Sequence, residues 1–387
     1  MFKIKTQNKI TKHGLDIFDK TKYNISDSET NPDAIIVRSA DMLNMEFNPE
    51  LKAIARAGAG YNNIPIDKCA EAGIVVFNTP GQNANAVKEL VVASLILASR
   101  NIIDAVNWTK TLTSDVAKEV ENGKSKFVGH EVIGKTLGII GMGAVGSRTA
   151  NIGIALGMNV IGVDPYMTIE GALALSSSVK IAKERADIFA NSDYITLHAL
   201  VTPETKNMIN SETIAKMKDG VRIINFSRAD LVDDDAMAAA LESGKIAKYV
   251  TDFPNEKVLQ MKNAIAIPHM GASTEESEDN CAIMAVNQII DFLENGNIKN
   301  SVNYPELIMA RNANARLCVF HKNVSGTISK ISSVISELGI NIEHFTSRSK
   351  EDYAYTICEI SGEIPESVVD KLGSLEDIIK INVINSR

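Results

Sequence analysis

No apolar run in this chain approaches the length of a membrane span: the longest, residues 90–98, is interrupted by Ser94 and is about half of what a bilayer requires. Cysteine is scarce. The four present, Cys69, Cys281, Cys318 and Cys358, form neither a C-x-x-C pair nor a Cys/His cluster. They read as buried free thiols, so neither a disulfide scaffold nor a metal centre is expected. Runs of five or more Lys or Arg are also missing, and 40 basic against 48 acidic residues leave a net charge of −8. Nucleic acid and membrane surfaces are therefore not expected partners. The opening MFKIKTQNKITKHG has neither an apolar segment nor a small-residue cleavage site. It does not read as a secretory signal, and a cytoplasmic location is the expectation.

What is present suits ordinary globular domains: 387 residues, 45% hydrophobic and 23% charged, enough for two or three cores. Short β-rich runs at 34–37, 51–55 and 74–77 alternate with helical ones, which implies a parallel sheet. Residues 84–100 are apolar on nearly every face and predict a buried helix. The polar stretch 104–126, holding the sole Trp (Trp108), reads as an exposed helix or a partner-docking arm. A second α/β unit follows, with strands expected at 136–140, 159–163, 194–197, 222–225, 249–251 and 264–267. A helix over 276–295 and an exposed linker over 296–314 come next. The last seventy residues change plan: strand 316–320, helix 327–338, strands 341–347 and 353–360, helix 365–372 and strand 378–384. That order, β-α-β-β-α-β, is ferredoxin-like.

The strongest local signal is Gly141-Met142-Gly143-Ala144-Val145-Gly146, which follows the strand TLGII and opens a helix. The first glycine permits the tight turn, the second lets a pyrophosphate approach the backbone, and the third lets helix and strand pack closely. Asp164 ends the next strand, placed to accept hydrogen bonds from an adenosine ribose. That acid would repel a 2′-phosphate, and no basic residue follows within Pro165, Tyr166 and Met167. NAD is therefore the expected cofactor.

Three further segments each end a predicted strand of the same sheet: Arg228 in IINFSRADL, Asp252 and Glu256 in YVTDFPNE, and His269 in AIPHMGAS. Open α/β sheets bind ligands at that edge. Hydride transfer at a carbon α to a carboxylate needs a base of near-neutral pKa, a carboxylate to support its protonated form and an Arg to grip the acid. Taken singly, Arg228 also suits a strand-end salt bridge, Glu256 a solvated loop acid and His269 a capping residue. His198, also at a strand end, reads as structural or cofactor-lining. His13 and His130 have no context.

Together these segments resemble the D-isomer-specific 2-hydroxyacid dehydrogenases over nearly the whole chain. The resemblance is carried by ARAGAGYNNI, NTPGQNANAVKEL, FVGHEVIGKTLGIIGMGAVG, VDPY and PHMGAS. It implies two doubly wound Rossmann-like domains. A discontinuous substrate domain takes 1–98 with 285–305, and an inserted NAD domain takes 99–284. It implies His269 as acid/base, Glu256 as its partner and Arg228 as the carboxylate clamp. By the same carry-over, Arg38, Ser39, Ala59, Gly60 and Asn83 hold the substrate, while Ala144, Val145, Ser227 and Asp252 contact the cofactor. The chain departs from the family pattern in places. Thr251-Asp252-Phe253-Pro254-Asn255-Glu256 has one residue fewer between its acids than the usual Asp-Val-Phe-x-x-Glu. Leu200 replaces a proline, and Ala40 stands where a second basic residue often lies, leaving Lys88 or a partner's cation to hold a phosphate.

Residues 315–387 resemble an ACT domain, a module that binds small effectors. In VFHKNVSGTISKI and GINIE, His321, Asn323 and Asn341 match positions that hold an amino acid between paired copies. His344 has no special claim. The resemblance implies NAD-dependent oxidation of a phosphorylated D-2-hydroxy acid on the route to L-serine, with L-serine as effector and a homodimer or homotetramer as the assembly. A different small 2-hydroxy acid is the alternative substrate, and a non-catalytic NAD-sensing corepressor-like protein is the alternative class.

Overall fold

The computed structural model describes residues 1–311 and 315–385. Contacts divide the chain into two compact units, residues 84–273 and residues 1–83 with 274–387. The first lobe runs β1 (Phe2–Gln7), α1 (Lys12–Leu15), β2 (Tyr23–Ser26), β3 (Ala34–Val37), β4 (Ala53–Arg56), α2 (Ile66–Glu71) and β5 (Val75–Phe77). All five strands pair parallel, in the order β2-β1-β3-β4-β5. The inner strands AIIV and AIAR are apolar at almost every position because a parallel sheet is covered on both faces. Strands β1 and β2 escape the sequence reading. FKIKTQ alternates lysines with apolar residues, and only Ile4 is fully buried.

The second unit contains α3 (Ala84–Arg100), α4 (Ile102–Thr109), α5 (Val116–Gly123), β6 (Thr136–Ile140), α6 (Ala144–Ala155), β7 (Asn159–Val163), α7 (Ile169–Leu173), β8 (Lys180–Ile181), α8 (Arg185–Asn191) and β9 (Tyr194–Leu197). It continues through α9 (Ser211–Ala215), β10 (Val221–Asn225), α10 (Asp234–Ser243), β11 (Ile246–Thr251), α11 (Glu256–Gln260) and β12 (Ala264–Ala266). Its seven strands are parallel in the order β12-β11-β10-β9-β6-β7-β8, so the order reverses between β6 and β9. A crevice at such a reversal is where open α/β sheets take ligands. The sequence reading misses only β8, two exposed residues.

The expected domain edge at 98 differs from the contact division at 83/84. Val87, Val91, Leu95 and Ala98 of α3 share a core with Leu137, Ile139, Ile224 and Val250. The all-round apolar helix is thus buried within the second unit. The stretch expected as one exposed helix is two, α4 and α5, in which Gly123 alone is buried. Trp108 explains that glycine, since a Cβ there would lie 2.3 Å from the indole.

The chain then returns to the first unit through α12 (Glu275–Asn295), whose Ala285, Ile289 and Phe292 join a core with Ile4, Ala55 and Phe77. The segment expected as an exposed linker is largely packed over residues 296–311; 312–314 lie outside the described residues. Tyr304 is fully buried, and its hydroxyl donates to Ala70 O at 2.6 Å. Asn303 accepts from Val76 N–H (2.9 Å) and donates to Ile74 O (2.8 Å), which extends the edge at β5. An Asn- and Pro-containing composition hides this, because the amides satisfy backbone groups instead of facing water.

The C-terminal module comprises β13 (Ala315–Lys322), α13 (Thr327–Glu337), β14 (Ile342–Lys350), β15 (Tyr353–Ile360), α14 (Glu366–Gly373) and β16 (Ile378–Ile384). Its sheet is antiparallel, ordered β14-β15-β13-β16. Alternation along β13 and β15 sorts the two faces. Leu317, Val319 and Ile360 pack with Ile331 and Leu372 of the helices. Cys318, Phe320, Tyr355 and Ile357 join the lobe core containing Phe77, Phe292 and Tyr304. Both faces of the sheet are therefore covered. Side chains tie the module to lobe carbonyls: Tyr355 Oη to Gly296 O (2.6 Å), Lys380 Nζ to Pro49 O (2.8 Å) and Leu51 O (2.6 Å), and Lys350 Nζ to Val302 O (2.8 Å). Fully buried Arg316 pairs with fully buried Glu359 and also donates to Asn295 O and Ala310 O. Removing one member of such a pair costs about 3–5 kcal/mol.

Candidate active site

Strand β6 ends in a turn that only glycine fits. Gly141 has φ +93°, and a Cβ on it would lie 2.5 Å from His198 O. A Cβ on Gly146 would lie 1.9 Å from Gly141 O. At Gly143 a Cβ would meet nothing within 4 Å, so the backbone there faces open space. Helix α6 begins immediately afterwards, and the N–H groups of Ala144 and Val145 belong to its first turn, where no helical partner exists. Asp164 completes the cradle: Oδ2 accepts from Met142 N–H and Oδ1 from Tyr166 N–H, both at 2.8 Å. A dinucleotide's pyrophosphate and ribose fit this arrangement of open backbone, helix start and fixed carboxylate.

Residues 228, 252, 256 and 269 follow β10, β11 and β12, three adjacent parallel strands, so their loops rise from one edge of the sheet. Arg228 is exposed and donates to Ser227 O at 2.7 Å. Its turn is held by Asn225, which the sequence reading did not single out. Fully buried, Asn225 accepts from Ser227 N–H (3.1 Å) and donates to Arg228 O (2.8 Å). An amide ending the apolar strand VRIIN is the signal that marks it. Ser227 Oγ donates to Ala199 O at 2.9 Å.

Asp252 is 1% exposed, and its Oδ2 accepts from Gly271 N–H at 3.0 Å. Burial pushes its carboxyl up, while the Gly271 N–H and His269 oppose that rise. Glu256 is exposed at the first position of α11, whose cap is Asn255, accepting from Val258 N–H at 2.8 Å. Among the described residues no hydrogen bond or ion pair joins Glu256 to His269, the partnership the resemblance implies. The exposed His269 ring instead lies 4.9 Å from the Phe253 ring. His198, half-buried with Nε2 3.1 Å from Thr196 Oγ1, is pushed down to about 3 by burial and is neutral near pH 7.

In the other unit, Arg38 follows β3 and its guanidinium is 2.7 Å from Glu278 of α12. The N–H groups of Ser39 and Ala40 both donate to Asn8 Oδ1. Ala59 O accepts from Asn78 Nδ2 at 2.7 Å, and Gly60 and Asn83 are half-buried. Lys88, in the second unit, donates to Asn85 Oδ1 at 2.7 Å and lies 3.6 Å from Glu89. His13, read as unpartnered, pairs with Asp279 at 2.6 Å.

The effector residues behave differently. His321 is 2% exposed, with Nδ1 2.9 Å from Lys322 O and Nε2 2.9 Å from Thr356 Oγ1, so both nitrogens are engaged inside the sheet. Asn323 and Asn341 are exposed, donating to Glu351 O (2.9 Å) and Glu343 Oε1 (3.0 Å).

Residues 92–271 match the family model for the NAD-binding domain of D-isomer specific 2-hydroxyacid dehydrogenases, and 316–377 match the ACT domain model. A D-3-phosphoglycerate dehydrogenase of Synechocystis is 35% identical over 79% of this chain, which spans only 57% of that relative's length. A hydroxypyruvate reductase of Thermotoga maritima is 37% identical, with 66% of this chain and 83% of the relative aligned. Among solved structures, NAD+-bound 3-phosphoglycerate dehydrogenase of Entamoeba histolytica superposes with a TM-score of 0.62 at 30% identity, covering 78% of this chain and 98% of that one. With the glycine turn, Asp164 and the edge residues Arg228 and His269 in place, this chain belongs to the D-isomer specific 2-hydroxyacid dehydrogenases and carries a C-terminal ACT domain.

Proposed function

We propose that this chain oxidises D-3-phosphoglycerate at C2 to 3-phosphohydroxypyruvate with NAD, the first step towards L-serine. The observation that carries the reading is the rise of Arg228 and His269 from one sheet edge, beside the strand-order reversal that bears the glycine turn. Gly141, Gly143, Ala144, Val145, Gly146 and Asp164 would hold NAD, with Ser227 and Asp252 at its nicotinamide end. Bound there, the cofactor supplies the hydride acceptor. His269 takes the hydroxyl proton as general base. Arg228 donates to the substrate carboxylate and to the oxygen that becomes the carbonyl. Arg38, Ser39, Ala59, Gly60 and Asn83 hold the rest of the substrate.

A second reading, a non-phosphorylated acid such as hydroxypyruvate, is favoured by one observation. Arg38 is already paired with Glu278, Lys88 with Asn85 and Glu89, and Ala40 offers no charge. The Thermotoga maritima relative's name points the same way. L-serine as effector rests on the ACT domain. A homodimer or homotetramer rests on that domain and on Ile102, Ile103, Val106 and Val116, which α4 and α5 leave exposed. A cytoplasmic location remains in keeping with described helices that are all too short or too polar to cross a membrane.

The test is NADH oxidation with 3-phosphohydroxypyruvate and with hydroxypyruvate, each with and without L-serine. The proposal expects turnover with the phosphorylated acid at the higher kcat/KM, suppressed by serine. Preference for hydroxypyruvate overturns the substrate assignment. Turnover indifferent to serine overturns the effector, and turnover preserved in His269→Gln overturns the acid/base role.

A further inference from the structure

Three features of Asp252 point beyond a contact with the cofactor. Its carboxylate is buried at the end of β11, where the shortened Thr251-Asp252-Phe253 sequence places it one position from the family's usual acid. Its Oδ2 accepts the N–H of Gly271, two residues after His269, so one bond ties the end of β11 to the turn that carries the imidazole. The fit is close: a Cβ on Gly271 would lie 3.1 Å from that oxygen. The other oxygen, Oδ1, is buried with no hydrogen-bond partner, a costly arrangement unless a positive or donating group completes it.

We propose that Asp252, in place of Glu256, is the carboxylate that positions His269 and supports its protonated form. The inference rests on reading His269 as the acid/base. When the imidazole takes the substrate proton, the new positive charge lies beside a carboxylate already fixed by Gly271 N–H and shielded from water, where an opposite charge counts most. Glu256 is solvated, and water screens it.

The surrounding charges leave this assignment to Asp252. Tyr249 on the same strand stays protonated, its hydroxyl pushed up by burial and by Asp234 and Asp252. Asp234 on α10 is bonded to Asn255, and Lys257 to Asp235. Arg228, at the end of β10, bonds Ser227 O. Phe253 contributes only its ring.

A histidine-selective NMR titration of the full chain without substrate reads the His269 pKa directly, the resonance being assigned by its loss in His269→Gln. Removing a nearby opposite charge lowers an imidazole pKa, so Asp252→Asn should lower it by about one unit, with Asp252→Glu restoring most of the shift. Glu256→Gln should move it by less than about 0.3 unit. The lower limb of the kcat/KM–pH profile should move with the NMR value in Asp252→Asn. A drop in Glu256→Gln, or no change in Asp252→Asn, overturns the proposal. If Asp252→Asn does not fold, the Glu256→Gln titration alone decides, because a drop there assigns the role to Glu256. Loss of the acid/base reading is seen separately, as turnover surviving in His269→Gln, and leaves the NMR result to stand on its own.

Discussion

The turn after β6 and the turn after β13 both carry motifs legible in the sequence, but they use their polar atoms in opposite ways. Around Gly143 the backbone faces open space, and Asp164 is fixed by two N–H donors. In the C-terminal module, His321 has both nitrogens engaged by Lys322 O and Thr356 Oγ1. A motif residue becomes a ligand contact only where the fold leaves its donors or acceptors unfilled. The dinucleotide turn meets that condition, whereas His321 meets it only if its internal bonds exchange.

The sharpest way to break the contrast is within the glycines. Gly146→Val puts side-chain atoms into Gly141 O and should cost at least about 100-fold in NADH affinity, or about 2.7 kcal/mol, together with thermal stability. Gly143→Ala has room in the ligand-free protein, so its melting temperature should stay within about 2 °C. Its NADH affinity should still fall about tenfold, because the methyl occupies the approach to the pyrophosphate. Calorimetric NADH binding alongside thermal melts checks both; a Gly143→Ala protein that binds normally would mean the pyrophosphate lies elsewhere.

His321 and Asn323 separate next. His321→Ala abandons a buried hydroxyl and should destabilise the protein by about 1–3 kcal/mol. Asn323→Ala loses one exposed bond and should change stability by less than about 0.5 kcal/mol. If the turn binds serine, Asn323→Ala weakens that binding without moving the urea midpoint, while His321→Ala moves both. Serine affinity unchanged in Asn323→Ala would remove that residue from the effector site.

The smallest effect concerns another polar group used within the fold. Burial lowers Lys380 from 10.5 to about 8. Between those values the unfolded chain binds the proton more tightly than the folded one, so stability from this group rises as pH climbs from about 8 to 10.5. Below pH 8 the folded protein carries the full cost of a buried ammonium. Lys380→Met should show a flatter rise of urea midpoint over pH 8–10.5, and an unchanged slope would mean that Lys380 is solvated.

Much of the architecture was readable locally. Strands Thr136–Ile140, Asn159–Val163, Tyr194–Leu197 and Tyr353–Ile360 and helix Ala84–Arg100 fall where apolar runs and turn residues place them. Other elements were hidden for physical reasons: lysines in FKIKTQ mask a strand buried mainly at Ile4, and the amides of 296–311 look solvated until Asn303 is seen bonding Val76 and Ile74. The candidate site shows the same division. Glycine spacing and the acid after β7 declare a dinucleotide turn because steric limits on the backbone act over a few residues. Which carboxylate serves His269 depends on burial and on a bond across nineteen residues, from Asp252 to Gly271.

The sequence by itself determined the fold class, the nucleotide turn and the family, since each follows from local periodicity, short-range sterics and residue type. Only the tertiary structure decided that the C-terminal sheet shares a core with the first lobe, that Arg38 is paired with Glu278, and that His321 is engaged internally. Those outcomes depend on which groups are removed from water and what meets them there, and burial is a property of the whole packed chain rather than of any segment in it.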